Sequence, residues 1–144
     1  MLFTTQSTII SLAFVCASLT SAASTPRGLD TIHRRATSID INSLGSCSDP
    51  SIEFGAGFGG RRADENSFRP ANLNEFNHGE ALNIGVITDS ICNTLVNNCG
   101  LKNEDAAFTN CKALKTEVGN GKDGALADKW NAGFGITTNF ASNA

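Results

Sequence analysis

The stretch NHGEALNIGVITDSICNTLVNNCGLKNEDAAFTNCKALKTEVG, residues 77–119, carries the strongest periodic signal in the chain. Ile84, Ile87, Ile91 and Leu95 recur at i, i+3, i+7 and i+11, one apolar stripe at helical spacing, and Cys92, Val96 and Cys99 widen it. Asn77 with Glu80 three positions later has the form of a capping box, so a helix is expected to open at Asn77. Gly100 stands where a left-handed residue would close it. Gly79 and Gly85 each lower the intrinsic propensity by about 1 kcal/mol, so packing has to hold this helix. A second helix is expected from Asn103, with Glu104 and Asp105 in its first turn and Lys112 and Lys115 toward its end, both signs suiting the helix dipole. Ala107 or Phe108, Cys111, Leu114 and Val118 form its apolar face, and Gly119 ends it.

C-terminal to this hairpin, a third short helix is expected over Asp123–Ala132, with Leu126, Ala127, Trp130 and Phe134 on its inner face. Trp130 would suit an exposed sugar-stacking platform, but its period with Leu126 and Phe134 places it in the core. The polar, small-residue tail 137–144 reads as flexible.

On the N-terminal side, residues 36–76 read as an irregular arm. Its glycine cluster from Gly55 to Gly60 makes ordering costly, and few aliphatic side chains offset that cost. Phe54, Phe58, Phe68 and Phe76 are available as isolated anchors. The fold class expected is therefore mainly α, a small disulfide-bonded helical domain over residues 77–136 carrying a glycine-rich arm.

Further out still, the first thirty-five residues read as cutting instructions. Ile9–Leu19 is an apolar run of about eleven residues, in the range of a signal-peptide core and too short to span a bilayer. Small residues ending at Ala22 or Ala23 fit a signal-peptidase site, although no Lys or Arg precedes the apolar run. A signal peptide over 1–22 would be followed by a pro-segment over 23–35, ending at the dibasic Arg34-Arg35. Both cuts would place the protein outside the cell as a chain running from Ala36 to Ala144. Losing Arg27, Arg34, Arg35 and Asp30 takes the net charge from −3 to −5. Scattered basic residues on an acidic chain disfavour nucleic acid and anionic membrane as partners, because phosphate attraction needs clustered Lys and Arg. A monomer is expected.

Cysteine usage agrees with export. Cys16 leaves with the signal peptide, and Cys47, Cys92, Cys99 and Cys111 remain, an even number in a short chain. Their gaps are too wide for a four-thiolate zinc site, so two disulfides are expected and no metal. Three pairings are possible in principle. Across an antiparallel helical hairpin, residues equidistant from the loop centre face one another, which matches Cys92 with Cys111 and leaves Cys99 for Cys47. Each bond is worth roughly 2–4 kcal/mol through restriction of the unfolded chain.

Catalytic chemistry finds little support. Gly55-Ala56-Gly57-Phe58-Gly59-Gly60 matches G-x-G-x-x-G, but a dinucleotide site needs a strand before it and a helix after it, so no cofactor is assigned. Arg61-Arg62-Ala63 repeats the dibasic pattern and is read as a solvated pair that an ordered loop shields from cleavage. After processing His78 is the sole histidine. A hydrolase would use it with Glu80 or Asp89, yet the chain has no tyrosine, no nucleophile elbow and no free cysteine.

The order of signal, dibasic pro-segment, Phe54-Gly55-Ala56-Gly57-Phe58-Gly59-Gly60-Arg61, Phe76-Asn77-His78-Gly79-Glu80-Ala81-Leu82-Asn83-Ile84 and Ile91-Cys92…Cys99…Cys111 resembles small secreted cysteine-containing proteins of filamentous fungi. These include effector candidates of plant- or insect-associated species. The resemblance implies a non-catalytic fungal protein acting at a host or environmental surface, and it transfers no binding residue. The leading expectation is thus a secreted effector-like protein that binds a host or cell-wall protein or glycan through the arm, where Phe54, Phe58, Arg61, Arg62 and Phe68 mix aromatic and basic groups. A small hydrolase is the rival from another class, and a structural wall or spore-surface protein is the third.

Overall fold

In the computed structural model, residues 37–143 are described. The expected signal peptide and pro-segment, with the candidate processing residues Ala22, Ala23, Arg34 and Arg35, lie outside the described residues.

Two short strands come first. β1 (Ile52–Ala56) pairs antiparallel with β2 (Asn66–Pro70), and three helices follow: α1 (Ile84–Asn97), α2 (Ala106–Val118) and α3 (Gly124–Gly133). The architecture is a small disulfide-bonded domain of three helices and a two-stranded sheet. The expected mainly α class therefore describes residues 84–133 but not the segment before them, which is no irregular arm. Ile52, Glu53, Phe54 and Gly55 alternate inward and outward in strand fashion. The register sets Phe54 opposite Phe68 on the inner face, with ring centroids 4.8 Å apart. The glycines that argued for disorder serve the hairpin connection instead, where Gly57 and Gly59 take φ of 72° and 58°.

The first helix opens later than the Asn77 capping box suggests. Residue 81 is claimed by the sheet: Phe68 and Ala81 exchange two backbone hydrogen bonds of 2.8 Å, so the chain remains extended there. Asn83 is the cap, its side chain accepting from the Gly85 amide at 2.9 Å. Ile84, Ile87, Ile91 and Leu95 are all fully buried, and they meet Leu114 and Val118 of α2, Trp130 of α3 and the inner sheet face in one core. Asp123 caps α3 through the Ala125 amide at 2.9 Å.

Cys92 is bonded to Cys111 across the α1–α2 hairpin, and Cys47 to Cys99. The second bond fastens the loop before β1 to the end of α1, where space is short. Gly45 has φ 69°, and a Cβ on it would strike the Cys99 carbonyl. Glu75 closes the other side of that loop, accepting from the Ser48 amide at 2.7 Å, the Ser48 hydroxyl at 3.0 Å and the Asp49 amide at 3.4 Å.

Buried Asn131 of α3 acts as a partial third strand. Its Oδ1 accepts from the Ile52 amide at 2.8 Å, and its Nδ2 donates to the Ile52 carbonyl at 2.9 Å, satisfying the outer edge of β1 where no neighbouring strand exists. Trp130 Nε1 donates to the Pro50 carbonyl at 2.9 Å, and the ring packs 5.2 Å from Phe134. The tail expected to be flexible is anchored on Asp128, which accepts from Thr138 Oγ1 at 2.7 Å, the Phe140 amide at 2.8 Å and the Ala141 amide at 2.9 Å. A small-residue tail gave no sequence signal for this, because the acceptor lies ten or more residues upstream.

Candidate functional site

The proposed contact residues of the arm separate into two groups. Phe54 and Phe68 are core residues at 5 % and 0 % exposure, so they cannot form a contact surface; strand alternation turns them inward. Phe58, Arg61 and Arg62 lie in the hairpin connection. The Phe58 ring folds back over Gly55, with the Arg69 guanidinium 4.0 Å from its centroid on the outer sheet face. Arg69 is itself held by Glu53, at 2.8 and 2.7 Å to Oε2. Cross-strand pairing of Glu53 with Arg69 puts these opposite charges side by side.

Arg61 is drawn inward between Glu80 Oε1 at 3.5 Å and Glu65 Oε2 at 3.4 Å, with its Nε buried and making no well-directed hydrogen bond. Gly59 has to be glycine for this pairing, since a Cβ there would occupy the place of the Glu80 carboxylate. Arg62 points to solvent and grips Asp64 in a fork, at 3.0 and 2.6 Å, and that hydrogen bonding holds the Asp64 carboxyl below its usual value. The dibasic pair is therefore split, one arginine tied to the fold and one exposed. The glycine motif sits between two strands and no helix follows it closely, which is not the dinucleotide arrangement.

The hydrolase residues are dispersed among separate duties. His78 is half-buried with Nδ1 2.7 Å from the Gly79 carbonyl, so that nitrogen carries the proton. Glu80 serves Arg61. Asp89 is paired with Lys115 and lies 3.6 Å from Lys112 across the hairpin, and the Lys115 hydrogen bond holds its carboxyl below the usual range. Among the described residues no hydrogen bond joins His78 to either carboxylate.

A concavity that sequence reasoning missed lies at the start of α2. It is an open concavity of about 520 Å³, with Ile39, Leu101 and Ala107 among its apolar lining and Asp40, Asp105 and Asn110 among its polar lining. Chain topology explains why no motif announced it: Ser38–Asp40 and Asp105–Asn110 are brought together by the core burial of Ile39 and Leu44 and the Cys47–Cys99 bond. Each carboxylate has one oxygen engaged in local structure. Asp40 Oδ1 accepts from the Asn42 amide at 2.9 Å, and Asp105 Oδ2 from the Lys102 amide at 2.7 Å. Among the described residues the other oxygen of each has no hydrogen bond. Among the described residues no lysine, arginine or histidine lines the cleft, so its lining combines acceptor-rich, negative groups with apolar ones.

Among the described residues no helix is long and apolar enough to cross a membrane, and no group of three or more His, Cys, Asp or Glu side chains could hold a metal ion. No protein-family model, curated protein or solved structure matches the chain.

Proposed function

We propose that this chain is a secreted interaction protein without catalytic activity, of the fungal effector-candidate type, and that it binds a host or cell-surface component. Two disulfides in a short domain are compatible with export. The observation that carries the reading is the cleft at the start of α2, the place where unengaged polar atoms converge over buried apolar side chains. Elsewhere the charged groups of the sequence's candidate sites are consumed in holding the fold, as with Arg61, Glu80 and Asp89. The free carboxylate oxygens of Asp40 and Asp105 and the Asn110 side chain suit a partner rich in hydroxyl or cationic donors, such as a glycan or a basic peptide segment. Phe58 and Arg62 lie on the hairpin connection beside Glu80, toward the opposite end of α1 from the cleft, and are not part of this contact.

The test is pull-down of the secreted protein on host or fungal wall material, with two variants. Asp105→Asn together with Asn110→Ala should cut retention about tenfold, the loss expected for one or two charge-assisted hydrogen bonds. His78→Ala should leave retention unchanged. Turnover of any wall polymer that His78→Ala abolishes would replace this reading with the hydrolase.

A further inference from the structure

The two disulfides differ in how they meet solvent and in what they join. Cys92 and Cys111 are both fully buried, and their bond lies in the core between α1 and α2. Cys99 is buried as well, whereas Cys47 is half-buried and is flanked by exposed Gly45, Ser46 and Ser48. A solvent-borne reagent can therefore approach the Cys47–Cys99 bond from one side. That bond also joins the two chain segments that line the cleft at the start of α2. One segment ends at Ser43, shortly before Cys47, and the other begins at Leu101, shortly after Cys99. Beside the sulfur link, the loop is held by contacts that water can replace. The Ser46 amide donates to the Cys99 carbonyl at 2.9 Å, the Cys47 amide to the Leu44 carbonyl at 3.3 Å, and Glu75 accepts from Ser48 and Asp49. Leu44 is the one buried side chain between Ser43 and Cys47.

We propose that Cys47–Cys99 is a thiol-sensitive latch on the cleft: a small thiol of the glutathione class opens it in the folded protein, and the bound partner is released. The proposal rests on the binding reading given above. A thiolate RS⁻ attacks Cys47 Sγ, forms a mixed disulfide there and expels the Cys99 thiolate, which takes up a proton. A second thiolate attacks the sulfur of the first, leaving RSSR and a Cys47 thiolate that is protonated in turn. Two RSH thus supply the two electrons and two protons that the protein gains. Cys92–Cys111 is closed to this attack, since a thiolate reaches those sulfurs only when the surrounding helices unfold. The helical core therefore keeps its own bond while the loop before β1 comes free. Asp40 stands on one lining segment and Asp105 on the other, so like charges favour their separation once the covalent link is gone.

The full secreted chain, titrated with reduced glutathione, quenched by alkylation and mapped by mass spectrometry, tests this. A range of thiol concentration is expected in which Cys47 and Cys99 alone are alkylated and the far-ultraviolet circular dichroism is unchanged. In that species the Ser46 amide should exchange with solvent about tenfold faster, with the amides of α1 unaffected. Retention on host or fungal wall material should fall severalfold and return on reoxidation. The Cys47→Ser, Cys99→Ser variant should be retained as weakly as the reduced protein and be indifferent to glutathione. Loss of both disulfides together at every thiol concentration overturns the latch, as does retention that survives selective reduction. Oxidised protein that is not retained at all overturns the binding reading and the release step with it, even where the mass map shows Cys47–Cys99 opening first.

Discussion

Replacing Asn131 with alanine tests how far one side chain stands in for a missing strand. The carboxamide makes two complementary hydrogen bonds with Ile52, and both residues are buried, at 0 % and 1 % exposure. Alanine removes both partners at once and leaves a buried N–H and a buried C=O unsatisfied, at a cost of about 1–3 kcal/mol each. Nδ2 also bonds Thr138 Oγ1 at 3.1 Å, which couples the edge of β1 to the Asp128 anchor of the tail. A total of about 3 kcal/mol is therefore expected, a large fraction of the 5–15 kcal/mol typical of a domain. For a chain of this size it corresponds to a fall in Tm of roughly 12 °C or more. Near-ultraviolet circular dichroism, with the disulfides intact, would follow the melt through Trp130, the neighbouring residue bonded to Pro50. Hydrogen exchange adds a local readout, because the Ile52 amide should lose protection out of proportion to the rest of the core. A fall of less than about 4 °C with Ile52 protection unchanged would mean that the carboxamide is not what completes the sheet edge.

Two further predictions concern covalent and ionic restraints. Cys47–Cys99 spans 52 residues and Cys92–Cys111 spans 19, so chain entropy predicts that replacing the first pair with serine costs about 4 kcal/mol and the second about 3. Equal losses in urea titrations of the two double variants would show that native-state packing, not loop length, sets the difference. Burial pushes the Asp128 carboxyl up, yet the Phe140 amide, the Thr138 hydroxyl and the Ala141 amide outweigh it and hold the pKa below the usual value. A lowered folded pKa contributes stability above the unfolded value near 4, and that stability is lost as pH falls through the folded value. Asp128→Asn should lower Tm at pH 7 and flatten its decline between about pH 4 and 2; an unchanged acid slope would contradict this.

Helical periodicity made the centre of the fold legible. The stripe from Ile84 to Leu95 and the faces of α2 and α3 required only local spacing, and the mirror relation of Cys92 and Cys111 about the hairpin loop located a covalent link. The sheet was hidden by composition. Gly55 within β1 and Gly57, Gly59 and Gly60 in the connection carry no side chain to signal pairing, and the two five-residue strands are stabilised by Asn131 and Ala81, both outside the hairpin. For the same reason Phe54 and Phe68 could be taken for free aromatics rather than a packed cross-strand pair. The Asn77–Glu80 box was misleading because local capping competes with the bridge to Phe68, and the bridge prevails. The cleft at the start of α2 depends on Ser38–Asp40 meeting Asp105–Asn110, some seventy residues apart, which no short motif encodes.

The two sulfur bridges both end on α1 or the turn just after it, and this has a mechanical consequence. Pulled from its ends, the chain transmits tension from Cys47 straight to Cys99 and onward through Cys92 to Cys111, bypassing the entire hairpin sheet. The strands, the Arg61 and Arg69 ion pairs and the bridge to Ala81 hang inside a closed covalent loop that no external force stretches. In a domain tethered at both ends on a moving or drying surface, α3 and its Asn131 cap on the sheet edge would be pulled away first, while the strand backbone itself stayed out of the line of force until a sulfur–sulfur bond was reduced.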